Sequence, residues 1–395
     1  MSVPSVRLQP QKHVRIQRGH PWIYSNEIVM DEATKKLPRG GIVSFETHDR
    51  KILGMGSFNP HTLIAGRIFT PNIVAAIDEA WIETRLQNAL ALRERLLDVP
   101  FYRLVHAEAD GLPGLIIDRF DDILCIQRNT AGMDLLWPAL KTVLTSLLHP
   151  KSIILRNDTF ARKLEGLPTE IVIEGQEPPE TIPVLENGLT YVADVRGGQK
   201  TGWYFDQRDN HALLATYAKD ANSVLDLYTH AGGFALAAAK AGARNVVGVD
   251  SSELALELAK KAATTNKLDK PCSFVRADVF EELDRRIAAR EKFDVVIADP
   301  PPFVKTRKDI ASGARGYRKL AKKAAAVTRA QGFLFIASCS HNMDLQTFTE
   351  SVAAGLNDAK RTSRILHTCF AAPDHPTHPY LTQSAYLKGL LFVLD

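Results

Sequence analysis

Apolar and polar positions follow two different rhythms along the chain. In residues 1–72 the apolar residues recur in short stretches broken by turn residues, as in Val14-Arg15-Ile16 and Gly40-Gly41-Ile42-Val43-Ser44-Phe45. This spacing predicts a small β-barrel or sandwich. After residue 186, strand-like runs near 223–227, 245–249, 273–276, 293–298 and 333–337 alternate with helical patterns. The alternation predicts βαβ crossovers, and therefore an α/β fold with a mainly parallel sheet.

The residues between these two regions carry a mixed pattern. Apolar residues at helical spacing predict one helix within 73–99 and another within 135–148. Two strands are predicted in 103–127, around the turn Asp110-Gly111-Leu112-Pro113-Gly114, and further strands at 152–156 and 170–173. The polar, proline-rich stretch 175–180 is typical of a boundary. We therefore predict three domains, 1–72, 73–185 and 186–395.

The composition is that of a soluble protein with more than one domain: 395 residues, 45% hydrophobic and 24% charged. No apolar run reaches the roughly 18 residues that span a bilayer, and the first residues lack a signal-peptide pattern. We expect a cytoplasmic protein with no membrane contact. The four cysteines, Cys125, Cys272, Cys339 and Cys369, include no Cys-x-x-Cys pair, so we predict neither disulfides nor a bound metal.

The positive charge is concentrated at the amino-terminal end. The net charge of the chain is +4, while residues 1–71 alone hold ten Lys and Arg against five acidic residues, a local excess of five. A basic surface of this kind favours RNA as the partner of the β-module. A module that docks another protein, or that only spaces domains, is the alternative.

A glycine turn follows the first strand of the carboxyl-terminal region. The sequence there is Val224-Leu225-Asp226-Leu227-Tyr228-Thr229-His230-Ala231-Gly232-Gly233-Phe234, and an alanine-rich helix follows it. Glycines at this point let a ligand approach the backbone closely, although neither the P-loop nor the dinucleotide signature is present. A plain strand-to-helix turn explains the glycine pair alone equally well.

Acidic residues end the following strands in order. Asp250 ends the second strand, where a carboxylate can accept both hydroxyls of a ribose; Asp278 follows the third strand and Asp299 ends the fourth. Taken singly, each acid is explained as a turn residue or a helix cap. Together with Asp226 and the glycines, they resemble the S-adenosylmethionine site of class I methyltransferases.

A cysteine and an aspartate follow two neighbouring strands of the predicted sheet. Cys339 comes after the apolar run 333–338 and Asp299 after 293–298, so both side chains are expected about 5 Å apart in the crevice beyond the strand ends. A thiolate that adds to C6 of a pyrimidine makes C5 nucleophilic enough to accept a methyl group. We hypothesise that Cys339 is this nucleophile and that Asp299 orients the base. The alternative, a buried apolar cysteine, fits Cys125, Cys272 and Cys369 better.

Nine basic residues and one acid, Asp309, lie between these two positions. The basic residues are Lys305, Arg307, Lys308, Arg315, Arg318, Lys319, Lys322, Lys323 and Arg329. Such runs are commonly solvated helix faces, but this one begins directly after Asp299, where an RNA backbone would pass. We predict RNA contacts for Lys305, Arg307, Lys308, Arg315, Arg318 and Lys319.

Blocks along nearly the whole chain resemble the bacterial 23S ribosomal RNA large subunit cytosine-C5 methyltransferase family, methyltransferase I type. The blocks are 18–25, 107–118, 200–208, Gly232-Gly233-Phe234, Asp299-Pro300-Pro301, Arg315-Gly316-Tyr317, Ser338-Cys339-Ser340 and Asp374-His375-Pro376. The resemblance implies a PUA RNA-binding β-domain, a small α+β middle domain and a Rossmann-like class I methyltransferase domain with a mixed, mostly parallel seven-stranded sheet. Two stretches depart from the family pattern: Tyr228-Thr229-His230-Ala231 before the glycines, and Pro302 after Asp299-Pro300-Pro301. They bear on the cofactor contacts and on the choice of substrate.

The same resemblance implies the cofactor and several residue roles. S-adenosylmethionine is the expected cofactor, Cys339 the expected nucleophile, and residues 200–208 are expected to form a hairpin and loop over the cofactor, with Asp374-His375-Pro376 at the substrate entrance. The predicted cofactor contacts are Gln207, Asp226, Tyr228, Gly232, Gly233, Phe234, Asp250, Asp278 and Asp299.

The predicted function is therefore methylation of cytosine C5 in RNA, with 23S ribosomal RNA as the expected partner. Two alternatives stay open: methylation of a base nitrogen in RNA with Cys339 idle, and a non-catalytic RNA-binding or assembly factor that keeps the sheet. The β-module and the basic segment disfavour a small-molecule methyltransferase. A homodimer is also open, because symmetric dimers are the most frequent assembly of soluble proteins.

Overall fold

The computed structural model of the protein describes residues 3–74, 76–198 and 201–395. Contacts divide the chain into two compact units. Unit 1 contains the described residues within Met1–Glu180, Asp194–Trp203 and Asp374–Thr382, and unit 2 contains Thr181–Ala193, Tyr204–Pro373 and Gln383–Asp395. Within this part of the chain, no helix is both long and apolar enough to cross a membrane.

The first part of unit 1 is a five-stranded sheet with its own core. In chain order its elements are β1 (Ser5–Arg7), α1 (Val14–Gln17), β2 (Trp22–Tyr24), α2 (Glu32–Lys35), β3 (Gly41–Glu46), β4 (Ile52–Phe58) and β5 (Ile64–Thr70). The strand order is β1-β3-β4-β5-β2, in which only β1 and β3 pair in parallel. Val43, Phe45 and Phe58 are fully or almost fully buried between the strands. The predicted β-module is confirmed.

One stretch of this module differs from the prediction. Val14-Arg15-Ile16 lies in helix α1, in which Val14 is 43% exposed while Ile16 is buried. Residues two apart face the same side of a strand but nearly opposite sides of a helix, which agrees with the different burial of these two residues.

The rest of unit 1 is a second five-stranded sheet with helices. Its elements are α3 (Glu79–Leu96), β6 (Phe101–His106), β7 (Leu115–Phe120), β8 (Ile123–Arg128), α4 (Ala131–Leu135), α5 (Trp137–Leu148), β9 (Ser152–Arg156), α6 (Phe160–Glu165) and β10 (Ile171–Gly175). The strand order is β10-β9-β8-β7-β6. Residues 103–127 lie in three strands where two were predicted, because Asp121, with φ 58°, and Asp122 make a two-residue turn between Phe120 and Ile123.

Unit 2 begins with a hairpin and continues as a doubly wound sheet. The hairpin is β11 (Ile182–Glu186) and β12 (Leu189–Ala193). Then follow α7 (Arg208–Tyr217), β13 (Val224–Leu227), α8 (Gly233–Lys240), β14 (Val246–Asp250), α9 (Glu253–Thr265), β15 (Cys272–Arg276), α10 (Val279–Ala288), β16 (Phe293–Ala298), α11 (Ile310–Val327), β17 (Thr328–Ser338), α12 (Leu345–Asp358), β18 (Ser363–Phe370) and β19 (Lys388–Leu394). The predicted boundary at residue 185 falls within β11, and the three-domain division stays a prediction.

The large sheet of unit 2 is mixed, mostly parallel and covered on both faces. Its strand order is β15-β14-β13-β16-β17-β19-β18, and β19 runs antiparallel to both neighbours. Alternate strand residues supply two cores: Leu225 packs in the cluster that includes α10, α11 and α12, and Val224 in the one that includes α7 and α8. The carboxyl ends of β13, β14, β16 and β17 therefore share one edge, which is where the predicted site residues follow.

Candidate active site

The turn after β13 has a backbone conformation that favours glycine. Tyr228, His230 and Gly232 have positive φ values of 64°, 48° and 84°, in the left-handed region. A Cβ on Gly233 would lie 2.5 Å from Nε2 of His211, so this position has to be glycine for the histidine to pack against it. Tyr228 and His230 are not glycines, and residues with side chains rarely adopt left-handed φ values, so the surrounding structure holds this turn in place.

Two predicted cofactor contacts next to this turn have different surroundings. The ring of Phe234 is buried, with its centroid 4.4 Å from that of His211 and 5.6 Å from that of Phe335. The ring of Tyr228 is half-buried, and its pKa is raised by burial and by nearby Asp278 and Asp250. The Phe234 side chain therefore packs in the core, while Tyr228 borders the acids that follow the neighbouring strands; contact of either residue with the cofactor stays a prediction.

Asp226 is a buried carboxylate beneath the glycine turn. It is 0% exposed, and its Oδ2 accepts hydrogen bonds from the Thr229 hydroxyl at 2.5 Å and the Ala235 amide at 3.0 Å. Its Oδ1 has no hydrogen-bond partner. Burial raises the pKa of Asp226 to about 7. A buried acceptor without a partner is costly, so this oxygen is suited to a donor from a ligand.

Asp250 and Asp278 both hold local backbone turns. Oδ2 of Asp250 accepts from the His230 amide at 3.0 Å and Oδ1 from the Ser252 amide at 2.9 Å, which leaves each oxygen a further acceptor position. Asp278 is exposed and caps α10, with Oδ1 accepting from the amides of Phe280 and Glu281 at 2.8 and 3.1 Å. Asp278 therefore has the helix-cap role considered for these acids, and this role leaves its Oδ2 available to accept a hydrogen bond from a ligand.

Asp299 is held by an amide side chain from the start of α7. Nε2 of Gln207 donates to Oδ2 of Asp299 at 2.8 Å, and Nδ2 of Asn210 donates to Oε1 of Gln207 at 2.6 Å. Gln207 lies in a 3₁₀ turn, Phe205–Gln207, that leads directly into α7. The expected hairpin at 200–208 is not seen among residues 201–208, and Lys200 lies outside the described residues. The structure thus places Gln207 beside Asp299, one of the other predicted cofactor contacts.

Cys339 emerges beside the Asp299 turn. Strands β16 and β17 are parallel neighbours, as predicted, with Ala298 opposite Ile336. Sγ of Cys339 lies 3.9 Å from the carbonyl oxygen of Pro300, the residue after Asp299. Cys339 is half-buried, whereas Cys125 and Cys369 are buried in the core. A partly accessible thiol and a carboxylate therefore follow the carboxyl ends of two neighbouring parallel strands, and the predicted separation of their side chains stays a prediction.

Several residues around Cys339 were not predicted as site residues. The Tyr317 hydroxyl lies 2.7 Å from Oγ of Ser338 and 3.1 Å from Oγ of Ser340, so α11 fixes both residues that flank the cysteine. Tyr204 has its pKa raised by burial and by nearby acids, and its ring contacts His230 edge-on at 4.9 Å. Tyr317 and Tyr204 fall in blocks of the family resemblance, which was the available signal.

The basic segment is only partly free of acidic partners. Arg318 forms a bidentate pair with Asp358 at 2.7 Å, Lys323 contacts Asp284, Arg329 binds Asp294 at 2.5 Å, and Nζ of Lys319 lies 4.8 Å from the Phe280 ring centroid. Lys305, Arg307, Lys308 and Arg315 are exposed and pair with no carboxylate among the described residues. Lys322, farther along α11, is also exposed without an ion pair among the described residues, so most but not all of the unpaired charge lies on the loop after Asp299 and the first turns of α11.

Comparison with known proteins identifies the family. A PUA-like domain model matches residues 6–71, and a model described as S-adenosylmethionine-dependent methyltransferase matches residues 169–393. The ribosomal RNA large subunit methyltransferase I of Aliivibrio fischeri (strain MJ11) is 37% identical over 390 residues, 98% of each chain. That of Tolumonas auensis is 38% identical over 393 residues, again 98% of each. The chain belongs to the ribosomal RNA large subunit methyltransferase I family.

Solved structures agree with the fold of this S-adenosylmethionine-dependent methyltransferase. A solved structure from Streptococcus mutans, described as a SAM-dependent methyltransferase, is similar to this chain with a TM-score of 0.82 at 20% identity. The similarity covers 99% of this chain and 100% of that one. The protein SMU.776, solved in complex with SAH, has a TM-score of 0.84 at 19% identity, with the same coverage. The amino-terminal PUA-like module and the Rossmann-like sheet predicted from sequence are confirmed.

The residues present fit S-adenosylmethionine, the cofactor of this family. The unpartnered Oδ1 of buried Asp226 suits a cationic donor, since the cofactor carries an ammonium group. The Asp250 carboxylate has acceptor positions for ribose hydroxyls. Each individual contact, including those of Tyr228, Gly232, Gly233 and Asp278, stays a prediction.

Proposed function

We propose that the protein methylates C5 of a cytosine in 23S ribosomal RNA through a covalent adduct with Cys339. The observation that carries the proposal is the approach of the half-buried Cys339 thiol to the Asp299-Pro300 turn, with Sγ 3.9 Å from the Pro300 carbonyl oxygen. Ribosomal RNA as the substrate is supported by the names of the relatives, and a cytoplasmic location remains a prediction.

The Cys339 thiolate would make C5 of the bound cytosine nucleophilic. Its attack forms the Sγ–C6 bond and places an electron pair at C5, which then bonds to the methyl group. Bound S-adenosylmethionine would supply that methyl as an electrophile, with its S–CH₃ bond breaking to leave S-adenosylhomocysteine. Loss of the C5 proton to a base would then form the C5=C6 double bond, break the Sγ–C6 bond and release the thiolate.

Asp299 would hold the cytosine during this addition. Its carboxyl group can accept from the N4 amino group and, when protonated, donate to N3 as negative charge develops there. The Gln207 amide, fixed in turn by Asn210, donates to Oδ2 at 2.8 Å and so limits the orientations of the Asp299 side chain. Asp299 therefore has a defined orientation before the base arrives.

RNA in which 5-fluorocytidine replaces cytidine tests the covalent step. A base can remove a proton from C5 but cannot remove a fluorine in the same way, so the last step is blocked. We therefore expect the methylated adduct to persist through denaturing electrophoresis, and we expect peptide mapping to place it on Cys339. The same RNA with ordinary cytidine is the control and should accumulate no stable adduct. Methylation of the cytidine RNA without any trapped adduct on the fluorinated RNA would favour methylation at a base nitrogen with Cys339 idle.

We also propose that the exposed part of the basic segment contacts the RNA backbone. Lys305, Arg307, Lys308 and Arg315 are exposed and form no ion pair with an acid of the described chain, and they lie on the loop after the Asp299 turn and the first turns of α11. Arg318 was predicted as a contact as well, but Asp358 already binds its guanidinium in a bidentate pair. Lys319, with its ammonium over the Phe280 ring, is more restricted than the four exposed residues.

A matched pair of charge removals tests this contact surface. The double variant Lys305→Ala, Lys308→Ala should weaken RNA binding and reduce the slope of log affinity against log salt by roughly one for each lost phosphate contact. Lys260→Ala, Lys261→Ala removes the same charge from the exposed side of α9 and is the control. Filter binding across a salt series gives both slopes. Equal slopes for the two double variants would show that Lys305 and Lys308 make no special contact.

A further inference from the structure

Lys388 is a buried cation in an otherwise apolar strand. It begins β19, Lys-Gly-Leu-Leu-Phe-Val-Leu, and is only 4% exposed. Strand pairing places it opposite Ser338 at the end of β17 and opposite Phe370 at the end of β18. A lysine is rarely buried to this extent without a partner of opposite charge.

The Lys388 ammonium binds the backbone that follows Cys339. Nζ donates to the carbonyl oxygen of Ser340 at 2.8 Å and also to that of Met343. Both acceptors are neutral, and within the described chain no carboxylate forms an ion pair with Lys388. Asp344 is an acid that influences Lys388, but it uses its two oxygens to cap α12 through the amide and hydroxyl of Thr347.

The surroundings leave the positive charge of Lys388 poorly compensated. Burial lowers the pKa of Lys388 to about 8, while the neighbouring Cys339 and Asp344 act in the opposite direction. At neutral pH the ammonium is therefore mostly retained, in a region where water screens its charge poorly. A thiolate at Cys339 is the anion that would balance it.

We propose that Lys388 is a positioning residue for Cys339: its ammonium fixes the backbone after the cysteine and stabilises the thiolate form of the side chain. The proposal rests on the proposed function, in which that thiolate is the nucleophile. A nearby cation favours ionisation of a cysteine and so increases the fraction of reactive thiolate at neutral pH.

The other titratable groups facing Cys339 do not supply this charge. Tyr204 and Tyr317 both interact with the thiol, and burial raises the pKa of each, so both are neutral phenols near pH 7. Asp299, one residue before Pro300, is an acid and disfavours a second negative charge nearby. Of these groups and Asp344, only Lys388 favours the thiolate.

Alkylation of Cys339 measures its ionisation without any methyl transfer. The rate of iodoacetamide labelling, followed on the Cys339 peptide by mass spectrometry across pH 6 to 10, reports the pKa of the thiol. We expect Lys388→Met to raise that pKa by about one unit, which means roughly tenfold slower labelling at pH 7. Lys388→Arg keeps a cation and should shift it less. Half-buried Cys272, whose pKa burial raises to about 12, should label slowly and at the same rate in both proteins.

The reciprocal measurement does not depend on the folding of a Lys388 variant. Coupling between two titrating groups acts equally on both. In Cys339→Ser, nearly isosteric with the native residue, the pKa of Lys388 followed by carbon NMR of labelled lysine should therefore be lower than in the native chain. Unchanged values for Lys388 here, or for the Cys339 thiol in a folded Lys388→Met protein, would overturn the proposal.

These results separate the two proposals. If the thiol pKa depends on Lys388 while Cys339→Ala still methylates RNA, then the covalent mechanism is wrong and the electrostatic coupling stands. If the fluorinated RNA is trapped on Cys339 but Lys388→Met leaves the thiol pKa unchanged, then only the role of Lys388 is wrong.

Discussion

Cys339→Ala is expected to lower the rate of methyl transfer to RNA by at least about 10³-fold, because it removes the atom that makes C5 nucleophilic. Binding of S-adenosylmethionine should change little, since the cofactor contacts predicted for Gln207, Asp226 and Asp250 do not involve the thiol. Transfer of a labelled methyl group from the cofactor to RNA, together with calorimetry of cofactor binding, measures both quantities.

Cys272→Ala is the matched control for this experiment. It removes a half-buried thiol from the same unit, at the start of β15 and away from the Asp299 turn. Its activity should stay close to that of the native chain. A Cys339→Ala protein that retains more than about a tenth of native activity would contradict nucleophilic catalysis, because the uncatalysed attack of C5 is far slower.

Strand positions in unit 2 were predictable because the pattern is local. Runs such as Phe293–Ala298 are buried on both faces and end at turn residues, so composition alone marks them. The same logic failed at Val14–Gln17, where one buried residue in a four-residue helix looks like an alternating strand. It also missed the turn at Asp121 and Asp122, since two aspartates carry a weaker hairpin signal than Asn-Gly.

The strand-end acids of the candidate site could also be located from sequence, but their partners could not. Asp299 and Cys339 follow adjacent parallel strands, and ordinary βαβ connectivity predicts their shared edge. Lys388 reaches Ser340 across 48 positions because β19 inserts antiparallel beside β17. No periodicity in the sequence reveals that insertion, so a lone lysine in an apolar run had no evident role.

The basic segment shows the same limit for charge. Counting along the chain finds nine cations and one acid between residues 305 and 329. In the structure, Asp358 from α12 binds Arg318, Asp284 from α10 contacts Lys323, and Asp294 from β16 binds Arg329. Local charge counts overstate the free charge of a helix that packs between other elements, because packing brings acids that are distant in sequence.

The protonation of Asp226 should control cofactor affinity. Burial raises the pKa of this carboxyl to about 7 in the folded protein, against an ordinary value near 3.8. Between about pH 4 and 7, the folded chain therefore keeps a proton on Asp226 that the unfolded chain has already released. This group consequently makes the folded protein less stable as pH rises through that range. A cationic ligand prefers the ionised form, so its affinity should rise as pH increases toward 7 and level off above it.

Asp226→Asn should remove this pH dependence and weaken binding. For the native chain we expect affinity for S-adenosylhomocysteine, which keeps the ammonium group, to fall about fivefold between pH 7 and pH 6, in proportion to the ionised fraction of Asp226. At pH 8 the amide variant should bind S-adenosylhomocysteine at least about tenfold more weakly than the native chain, because a charge-assisted hydrogen bond is lost. Its affinity should not change with pH. Calorimetry at pH 6, 7 and 8 measures this, with Asp269→Asn, an exposed acid of the same unit, as the control. A native profile that is already flat from pH 6 to 8 would mean that Asp226 does not titrate in this range, and an Asp226→Asn protein that binds as tightly as the native chain at pH 8 would show that Oδ1 is not where the cofactor's cation binds.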